Sequence, residues 1–507
     1  MNYPFWDVGI GYGVIMAVVA VLHVFVSHFA IGGGLYLVVT ERAARKAGDQ
    51  LRLEYLQRLS KFFVLVTLPF GALSGVGIWF VIGVLNPAAT EVLIHNFVWG
   101  WATEWTFFVV EIASALLYFY GWKRMSPRDH MAIGWIYFIF AWLSLVVING
   151  ILAFMLTPGT WLQTGNFWDG FFNATYWPSL FFRTGVCAML AGLYAMIIAS
   201  REKEQLRAGI VRYNATWVIV GLALMIPTFY WYWKAIPAEI VARALDIMTT
   251  PIHAMYSSFW VAGIIAALVL LFGLLLPKQY HTVVALAVIA LGILWFGEFE
   301  WFRESIRKPY IITGFMYGNG VEVAELPKYQ SAGLLPEIKY RTNDAGADLF
   351  NRACRSCHTI DGYKPLKPAF DGTDERFMAS IIQSASLLKG NMPPFAGNSK
   401  EAGMIAAHIY AQTDHRQTGA IYGLTGVELG RKVYDIRCAC CHLPGSSGDK
   451  LKSLAGKTAQ DYSDLLDQAE SLGDGMPAFT ADSTDRAVLI QYLTTLQAGG
   501  NNASSGL

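Results

Sequence analysis

Residues 1–301 alternate between long apolar runs and short polar connections. A helix that crosses a bilayer needs about 20 mostly apolar residues. The segments that meet this requirement are 10–39, 62–85, 97–121, 132–156, 177–199, 214–234, 253–276 and 281–301. Residues 302–507 mix polar and apolar positions over shorter stretches. The pattern predicts an all-α fold, a polytopic transmembrane helix bundle of about eight spans followed by a helical tail in water.

Basic side chains concentrate in every second connection between these predicted spans. The connections that hold them are 41–61, 122–131, 200–213 and 277–280. The opposite connections contain only Lys234 and Arg243. Because Lys and Arg accumulate in cytoplasmic loops, the N-terminus is predicted outside, and eight spans return the tail to the outside. The start of the chain has no basic region of a cleaved signal peptide, so the first span is expected to remain as an anchor.

The composition agrees with a chain that lies partly in lipid. Hydrophobic residues make up 54% of the chain and charged residues 15%, with a mean hydropathy of +0.39. A soluble globular chain carries about 25% charged residues. The formal net charge of +1 provides no basic excess for neutralising phosphates. A nucleic-acid partner is therefore excluded, and a multi-pass membrane protein is favoured.

Five of the six cysteines form two tight clusters in the tail. Each cluster contains a C-x-x-C-H motif, formed by Cys354, Cys357 and His358 and by Cys438, Cys441 and His442. Two thiols one helical turn apart can form thioethers with both vinyl groups of one heme, and the adjacent His then lies under the iron. A single motif of this kind would also suit a zinc site or a redox dithiol. Cys440 occupies a variable position of the second motif, has no partner there, and is expected to be a free or buried thiol.

The two clusters belong to an internal repeat of 84 residues (442 − 358). Met392 and Met476 each follow the motif His by 34 residues, and Gly346 matches Gly430 in the same register. A Met ligand raises the potential of a heme and closes the sixth position of its iron, which suits electron transfer. The repeat predicts two covalent hemes c with Met392 and Met476 as distal ligands. The modules resemble class I cytochrome c domains, with predicted boundaries of 341–420 and 421–507 after a membrane domain at 1–304 and a linker at 305–340.

Several ionisable side chains lie inside the predicted spans, where they are costly and usually functional. His23 is about midway through the first span and is a candidate heme ligand, whereas His28 faces another side and is typical of polar packing. Glu104 and Glu111 are seven residues apart, which places them on one helix face as a candidate proton path. Charged residues close the eighth span, namely Glu298, Glu300, Arg303, Glu304 and Arg307. This last group also fits snorkelling charge at the lipid headgroups.

Residues 1–310 resemble subunit I of cytochrome bd-type oxidases. In the first span, Leu22-His23-Val24-Phe25-Val26 resembles the segment that holds the family's axial His for the oxygen-reducing high-spin heme. After the last span, the stretch from Trp301 to Tyr310 resembles the family's Trp-Phe-x-x-Glu-x-x-Arg-x-Pro-aromatic sequence. The resemblance implies two membrane hemes, of type b or d, with His23 and Glu304 as ligands.

The same resemblance implies roles for further charged residues. Glu104 and Glu111, with Gly121-Trp122 after them, are similar to the family's paired-glutamate helix, where the acids are linked to proton delivery and heme contacts. The two acids are one residue closer together than in the family, so Glu111 aligns more securely than Glu104. Arg307 stands at the family's arginine position after the last span, which implies cofactor binding.

Three features depart from this family. Arg183 stands where the family's low-spin heme b has its His ligand, and an arginine cannot bind iron. About 20 residues join the sixth and seventh spans, in place of the long outer loop that binds quinol, so a quinol site is doubtful. The linker to the heme c modules replaces the family's ninth helix. Arg183 is then expected to neutralise a heme propionate or Glu104, because an unpaired arginine in lipid is unfavourable.

Two functions of different classes fit these residues. The first is a bd-like terminal oxidase subunit, in which a periplasmic donor reduces the c hemes and electrons pass to membrane hemes that reduce O₂. The second is an electron-relay subunit without catalysis of its own, which the missing low-spin ligand favours. Reduction of another small ligand such as NO has the same requirements as O₂ reduction. By resemblance to the family, a second membrane subunit similar to subunit II is expected as a partner.

Overall fold

The computed structural model describes residues 6, 8–246, 249–389, 391–473 and 475–496. Within these residues, eight helices are long and apolar enough to cross a membrane. They are Tyr12–Ala47, Gln50–Leu85, Val98–Gly121, Pro127–Phe154, Tyr176–Ala199, Leu206–Ala235, Ile252–Leu275 and Thr282–Arg307. The predicted all-α polytopic bundle is confirmed.

The membrane domain is built from helices that run back and forth through the bundle. In chain order they are α1 (Tyr12–Ala47), α2 (Gln50–Val66), α3 (Ala72–Leu85), α4 (Pro87–Asn96), α5 (Val98–Gly121), α6 (Pro127–Phe154), α7 (Trp161–Thr164), α8 (Phe167–Phe171), α9 (Tyr176–Ala199), α10 (Glu204–Ala235), α11 (Ala238–Asp246), α12 (Thr249–Leu268) and α13 (Thr282–Arg307). Two π-helical segments, Thr67–Gly71 and Val269–Leu275, continue α2 into α3 and extend α12.

The two ends of the bundle have different connections. The end at which the tail attaches, called the tail end, carries the short helices α4, α7, α8 and α11. The opposite end, called the basic end, has short turns made by capping residues. Gly48 ends α1 with a φ of 64°, and the Asp49 side chain accepts a hydrogen bond of 3.0 Å from the backbone N–H of Arg52 at the start of α2. Such caps satisfy the free backbone groups of the helix ends within a few residues.

Helix α9 is the centre of the bundle and packs against α1, α6, α10 and α13. Small residues allow the backbones to approach closely, as is common between membrane helices. A Cβ atom at Gly192 would lie 2.7 Å from the carbonyl oxygen of Asn214 on α10. A Cβ atom at Gly32 on α1 would overlap the carbonyl oxygen of Cys187 on α9, which is itself buried. The glycines of α1 therefore serve contacts inside this chain.

The tail begins with a small hairpin and continues as two helical modules. Strands β1 (Tyr310–Ile312) and β2 (Met316–Tyr317) pair antiparallel, and α14 (Leu326–Ala332) follows. The module helices are α15 (Ala345–Ala353), α16 (Lys367–Phe370), α17 (Glu375–Gln383), α18 (Ser399–Tyr410), α19 (Thr418–Tyr422), α20 (Gly426–Arg437), α21 (Leu451–Leu454), α22 (Ala459–Asp467) and α23 (Ser483–Thr494). Separate clusters of buried side chains lie around Phe350 and around Tyr434.

The repeat of 84 residues reflects one helix crossing that occurs in both modules. In the first module, a Cβ atom at Gly346 on α15 would overlap the carbonyl oxygen of Met404 on α18. In the second module, a Cβ atom at Gly430 on α20 would overlap that of Val488 on α23. Only glycine fits so close a crossing, so the matched glycines have a structural reason. The heme motif of each module begins at the end of its first helix. The crossing packs this helix end against the core of the module.

Candidate heme-binding and electron-transfer site

Each C-x-x-C-H motif forms a turn at the end of the first helix of its module. In module 1, the first of the two, the backbone N–H groups of Cys357 and His358 donate to the carbonyl oxygen of Cys354 at 3.0 and 2.9 Å. Nδ1 of His358 lies 3.1 Å from the carbonyl oxygen of Lys364, to which it donates. A bond of this kind fixes the tautomer and leaves Nε2 for a metal.

Module 2, the second module, repeats this arrangement. The N–H of His442 donates to the carbonyl oxygen of Cys438 at 2.8 Å, and Nδ1 of His442 donates to the carbonyl oxygen of Gly448 at 3.2 Å. Cys438 and Cys441 are free thiols, as are Cys354 and Cys357. Burial raises the pKa of the Cys354 and Cys438 thiols to about 12. Each motif combines two free thiols with an imidazole whose Nδ1 is hydrogen-bonded and whose Nε2 is left for iron, so the residues fit a covalently attached heme c.

Met392 and Met476 are both half-buried, and Met392 packs against the core of module 1. The Met476 loop lies on module 1, because Oγ of Ser384 donates to the carbonyl oxygen of Gly475 at 2.7 Å. The carbonyl oxygen of Cys440, inside the second motif, accepts a hydrogen bond of 2.9 Å from the N–H of Lys389. The heme-binding loops of the two modules are thus in direct contact.

An arginine reinforces the contact between the modules. Arg437, the last residue of α20, lies with its guanidinium 4.9 Å from the ring of Phe377 in module 1 and 5.9 Å from the ring of Phe479 in module 2. Its side chain is 5% exposed and lies 3.5 Å from Asp374. A buried cation stacked between rings of both modules favours one fixed arrangement of the pair.

Module 1 contacts the tail end of the membrane domain through its His-containing loop. The N–H of Tyr363 donates to the carbonyl oxygen of Ile10 at 3.1 Å, just before α1 begins. A Cβ atom at Gly13 would lie 3.0 Å from the Tyr363 ring, and one at Gly11 would lie 3.1 Å from Cβ of Tyr363. The loop that holds His358 is therefore attached to the helix that carries His23.

The first motif also lies beside the end of α13. The Cβ position of Gly318 is 3.6 Å from Nζ of Lys308 and 3.8 Å from Sγ of Cys357. Nζ of Lys308 forms an ion pair of 2.7 Å with Oε1 of Glu304, and the carboxylate of Glu304 also pairs with Arg307. A short chain of contacts thus joins Glu304 to the motif of module 1.

His23 and His28 use their ring nitrogens differently. Nδ1 of His23 lies 3.1 Å from Oγ of Ser74, which itself donates to the carbonyl oxygen of Phe70 at 2.6 Å. His23 Nδ1 then donates, and its Nε2 is suited to iron. In His28, Nδ1 donates to the carbonyl oxygen of Val24 at 2.7 Å and Nε2 accepts from Arg183 at 3.3 Å. Both nitrogens of His28 are occupied, which agrees with a packing role.

Arg183 is buried, with 4% of its surface exposed. Its Nη2 lies 3.6 Å from Oε1 of Glu300, and the other oxygen of Glu300 pairs with Arg303 at 2.6 Å. The expectation that Arg183 pairs with Glu104 is not what the structure shows, since the carboxylate beside it comes from α13. Packing of α9 against α13 brings Glu300 beside Arg183.

Three arginines face one small cavity at the tail end. Its lining combines these cations with neutral polar groups and is formed by Asn149, Leu152, Ala153, Leu156, Ser179, Arg183, Tyr232, Arg303 and Arg307. Among the described residues, neither Nη2 of Arg183 nor Nε of Arg307 has a hydrogen-bond partner there, since Glu300 lies at ion-pair distance only, 3.6 Å from Nη2 of Arg183. Buried polar groups are normally paired, and arginine pairs best with carboxylates. The residues therefore fit the propionate groups of a membrane heme.

Glu111 and Glu104 lie on one face of α5, as predicted. Oε1 of Glu111 accepts a hydrogen bond of 3.2 Å from the hydroxyl of Tyr137 on α6. The same hydroxyl lies 3.0 Å from the carbonyl oxygen of Ala30 on α1. Glu104 is half-buried and lies about two helical turns further toward the tail end.

The sequence analysis missed a cluster at the basic end. Glu41 and His130 are wholly buried and bonded to each other, with Tyr118 completing the group. Both residues fall in the predicted polar connections 41–61 and 122–131, but α1 continues to Ala47 and α6 begins at Pro127. The spacing of His130, Gly134 and Tyr137 on one face of α6 is the signal that would have found it.

The fold and the two heme motifs define a multi-pass membrane protein of respiratory electron transfer. Residues 14–231 match the family model for cytochrome bd terminal oxidase subunit I. Residues 341–409 and 426–493 match the family model for cytochrome C oxidase, cbb3-type, subunit III. The chain is therefore similar to bd subunit I in its first part and to cbb3-type cytochrome c domains in its tail, which confirms the resemblance and implies heme cofactors.

A solved structure shows the same fold. The bd oxidase from Geobacillus thermodenitrificans aligns with a TM-score of 0.52 and 13% sequence identity. The alignment covers 60% of this chain and 88% of that chain. No curated protein matches the chain in sequence.

Proposed function

We propose that this chain is a bd-like terminal oxidase subunit that receives electrons through its two hemes c. A periplasmic donor reduces the tail, electrons pass to hemes of type b or d in the membrane domain, and O₂ is reduced to water with one proton taken up per electron. The tail lies on the periplasmic side of the inner membrane. A second membrane subunit similar to subunit II accompanies the chain.

The contact of module 1 with both ligand-bearing helices carries this proposal. Its His358 loop is bonded to Ile10 at the start of α1, and its Cys357 lies beside Lys308 at the end of α13. Each of these helices holds one proposed membrane ligand, His23 or Glu304. Attachment at both points supports the proposal, because a heme c held by His358 would then be fixed relative to the two helices that carry His23 and Glu304.

The ligand sets follow from the residues described above. His358 with Met392 and His442 with Met476 would hold the hemes c, and His23 and Glu304 would hold the membrane hemes, with Arg183 and Arg307 toward their propionates. These hemes would supply one-electron transfer and, in the membrane, an open iron position for O₂. The chain itself would position the hemes and provide acids at Glu104 and Glu111 for protons.

The order of the two modules follows from their contacts. Module 1 touches the membrane domain at Ile10 and Lys308. Module 2 is bonded to module 1 through Ser384 and Lys389. The donor is therefore expected to reduce module 2 first, and module 1 passes electrons on to the membrane.

Ligand binding at a membrane heme tests this proposal. Reduced, detergent-solubilised protein should show a CO-induced spectral change that is separate from the spectra of the Met-ligated hemes c. Cyanide should bind the oxidised protein at the same site. A protein that binds neither CO nor cyanide at a membrane heme would have no open iron position, and the oxidase function would be excluded.

One observation favours a second function, an electron relay without catalysis. The carboxylate of Glu304 is already held by Arg307 and Lys308, which is also how a charged helix end is stabilised without iron. A heme count separates the two functions. The oxidase requires two membrane hemes besides the two hemes c, whereas a relay can work with fewer.

A further inference from the structure

We propose that Glu41, His130 and Tyr118 form a proton-uptake site at the basic end of the membrane domain, and that this site supplies Glu111. The inference rests on the proposed oxidase function, which needs protons at the membrane hemes. It adds a starting point for those protons, on the side of the bundle opposite to the tail.

The hydrogen bonds of His130 require one more proton than a neutral imidazole and an ionised Glu41 carboxylate carry together. Nε2 of His130 lies 2.8 Å from the carbonyl oxygen of Tyr118, which only accepts, so Nε2 carries a proton. Nδ1 of His130 lies 2.9 Å from Oε1 of Glu41. A hydrogen bond between these two atoms needs a second proton, on either the imidazole or the carboxyl group. The pair can therefore hold one transferable proton between a base and an acid.

The site is sealed from lipid but reaches the surface through one side chain. Glu41 is 0% exposed and His130 is 1% exposed. Nε of Arg45 lies 2.6 Å from Oε1 of Glu41, and the Arg45 side chain is 23% exposed. On the other side, the Trp122 ring lies 4.6 Å from the His130 ring and donates from Nε1 to Ser60 on α2. Among the described residues, the ionisable groups that face Glu41 are Arg45 from α1, Tyr118 from α5 and His130 from α6.

A seam between α1, α5 and α6 leads from this site toward Glu111. Tyr118 and Glu111 are seven residues apart on α5, as are His130 and Tyr137 on α6, and seven residues span about 10 Å of helix. Each end of the seam carries a carboxyl group bonded to a tyrosine of a neighbouring helix: the buried Glu41 with Tyr118 at 2.7 Å and the half-buried Glu111 with Tyr137 at 3.2 Å.

Small and hydroxylated residues line the seam between these two ends. Ser114 lies midway on α5, with Oγ 3.1 Å from the carbonyl oxygen of Glu111. A Cβ atom at Gly134 would lie 2.9 Å from the Tyr118 ring. A Cβ atom at Gly34 would overlap the Tyr137 ring. The two glycines keep both tyrosines close to the neighbouring helices, and Ser114 offers a hydroxyl between the two carboxyl groups.

The test measures the protons taken up when the hemes of the solubilised protein are reduced, with a pH-indicator dye in weak buffer, together with oxygen uptake. The variants are Glu41→Gln, His130→Asn and Tyr118→Phe. The matched control is Glu54→Gln, because Glu54 is an exposed acid on α2 at the same end. We expect proton uptake and oxygen uptake to slow about tenfold or more in Glu41→Gln and His130→Asn. In both variants the hemes c should be reduced at the wild-type rate. The Glu54→Gln variant should match the wild type in proton uptake and in oxygen uptake.

Other outcomes have defined meanings. Wild-type rates in Glu41→Gln would overturn the proposal. If Glu41→Gln does not fold, Tyr118→Phe decides, because it removes one hydrogen bond and no charge; a wild-type rate in that variant would also overturn the proposal. Wild-type protein that takes up protons on reduction but consumes no O₂ would refute the oxidase function instead, and the dye measurement would still show whether Glu41 is the uptake site.

Discussion

The tail and the membrane domain position their proposed iron ligands in different ways. In module 1 the thiols and His358 follow one another along a single turn, and the imidazole is oriented by the carbonyl oxygen of Lys364 from the same loop. In the membrane domain the proposed ligands His23 and Glu304 come from the first and last spans. Their orientation depends on Ser74 from α3 and on Arg307 and Lys308.

This difference predicts how each region responds to mutation. A local site should lose its heme when its own motif is changed and should leave the other module intact. A site assembled from distant helices should respond to residues that never touch iron. The changes that follow test this contrast, from the largest expected effect to the smallest.

Removing the thiols of module 1 should have the largest effect. Cys354→Ala combined with Cys357→Ala removes both covalent bonds to the first heme c, and donor-driven oxygen uptake should be abolished because module 2 is one step further from the membrane. Module 2 should still bind its heme, which heme staining after denaturing electrophoresis will show. The matched control is Cys440→Ser, which should keep both hemes c. A double variant that still turns over would mean that electrons bypass module 1.

Glu304→Gln should remove one membrane heme without affecting the tail. The change removes the proposed carboxylate ligand and both ion pairs of that carboxylate. A pyridine hemochrome assay should show one membrane heme fewer per chain and an unchanged amount of heme c. Glu298→Gln, in the same helix and half-buried, is the control and should keep the full heme content. An unchanged heme count in Glu304→Gln would assign Glu304 to snorkelling charge.

Arg183→Leu should lower stability and disturb the membrane hemes while leaving the tail intact. The change leaves Glu300 with Arg303 alone, and loss of one partner in a buried ion pair costs about 3 kcal/mol. Thermal unfolding of the solubilised protein, followed by circular dichroism, measures this loss. Arg201→Leu, at an exposed position of the basic end, should cause no comparable change. Equal stability of the two variants would contradict the network around Arg183.

Asp344→Ala should have the smallest effect, confined to module 1. The Asp344 side chain accepts a hydrogen bond of 3.0 Å from the N–H of Ala347 and caps α15. Loss of such a cap costs about 1 kcal/mol. That hydrogen bond and the nearby His408 lower the pKa of Asp344. The stabilisation is therefore present above the pKa of the unfolded chain and is lost as the pH falls through the folded value. Urea unfolding of the wild type and variant at neutral and acidic pH measures this, and Asp361→Ala, which is exposed, is the control.

The sequence predicted the candidate site best where the functional residues are neighbours along the chain. The motif residues and the matched glycines Gly346 and Gly430 follow from spacing alone, because each module repeats one local structure. The partner of Arg183 did not follow, because Glu300 reaches it only through the packing of α9 on α13. Glu41 and His130 were also missed, because α1 and α6 extend beyond the apolar stretch by which a span is recognised. Helix ends and pairings between helices depend on tertiary contacts that a single sequence does not show.

Oxygen uptake by the purified, detergent-solubilised protein tests the central claim most directly. The measurement uses a chemically reduced c-type donor and a cyanide control. The proposed oxidase should consume O₂ rapidly, cyanide should inhibit it, and the rate should depend on the thiols of module 1. If both hemes c are reduced by the donor and no O₂ is consumed, the oxidase function is contradicted, and the chain is a relay that passes electrons to another membrane protein.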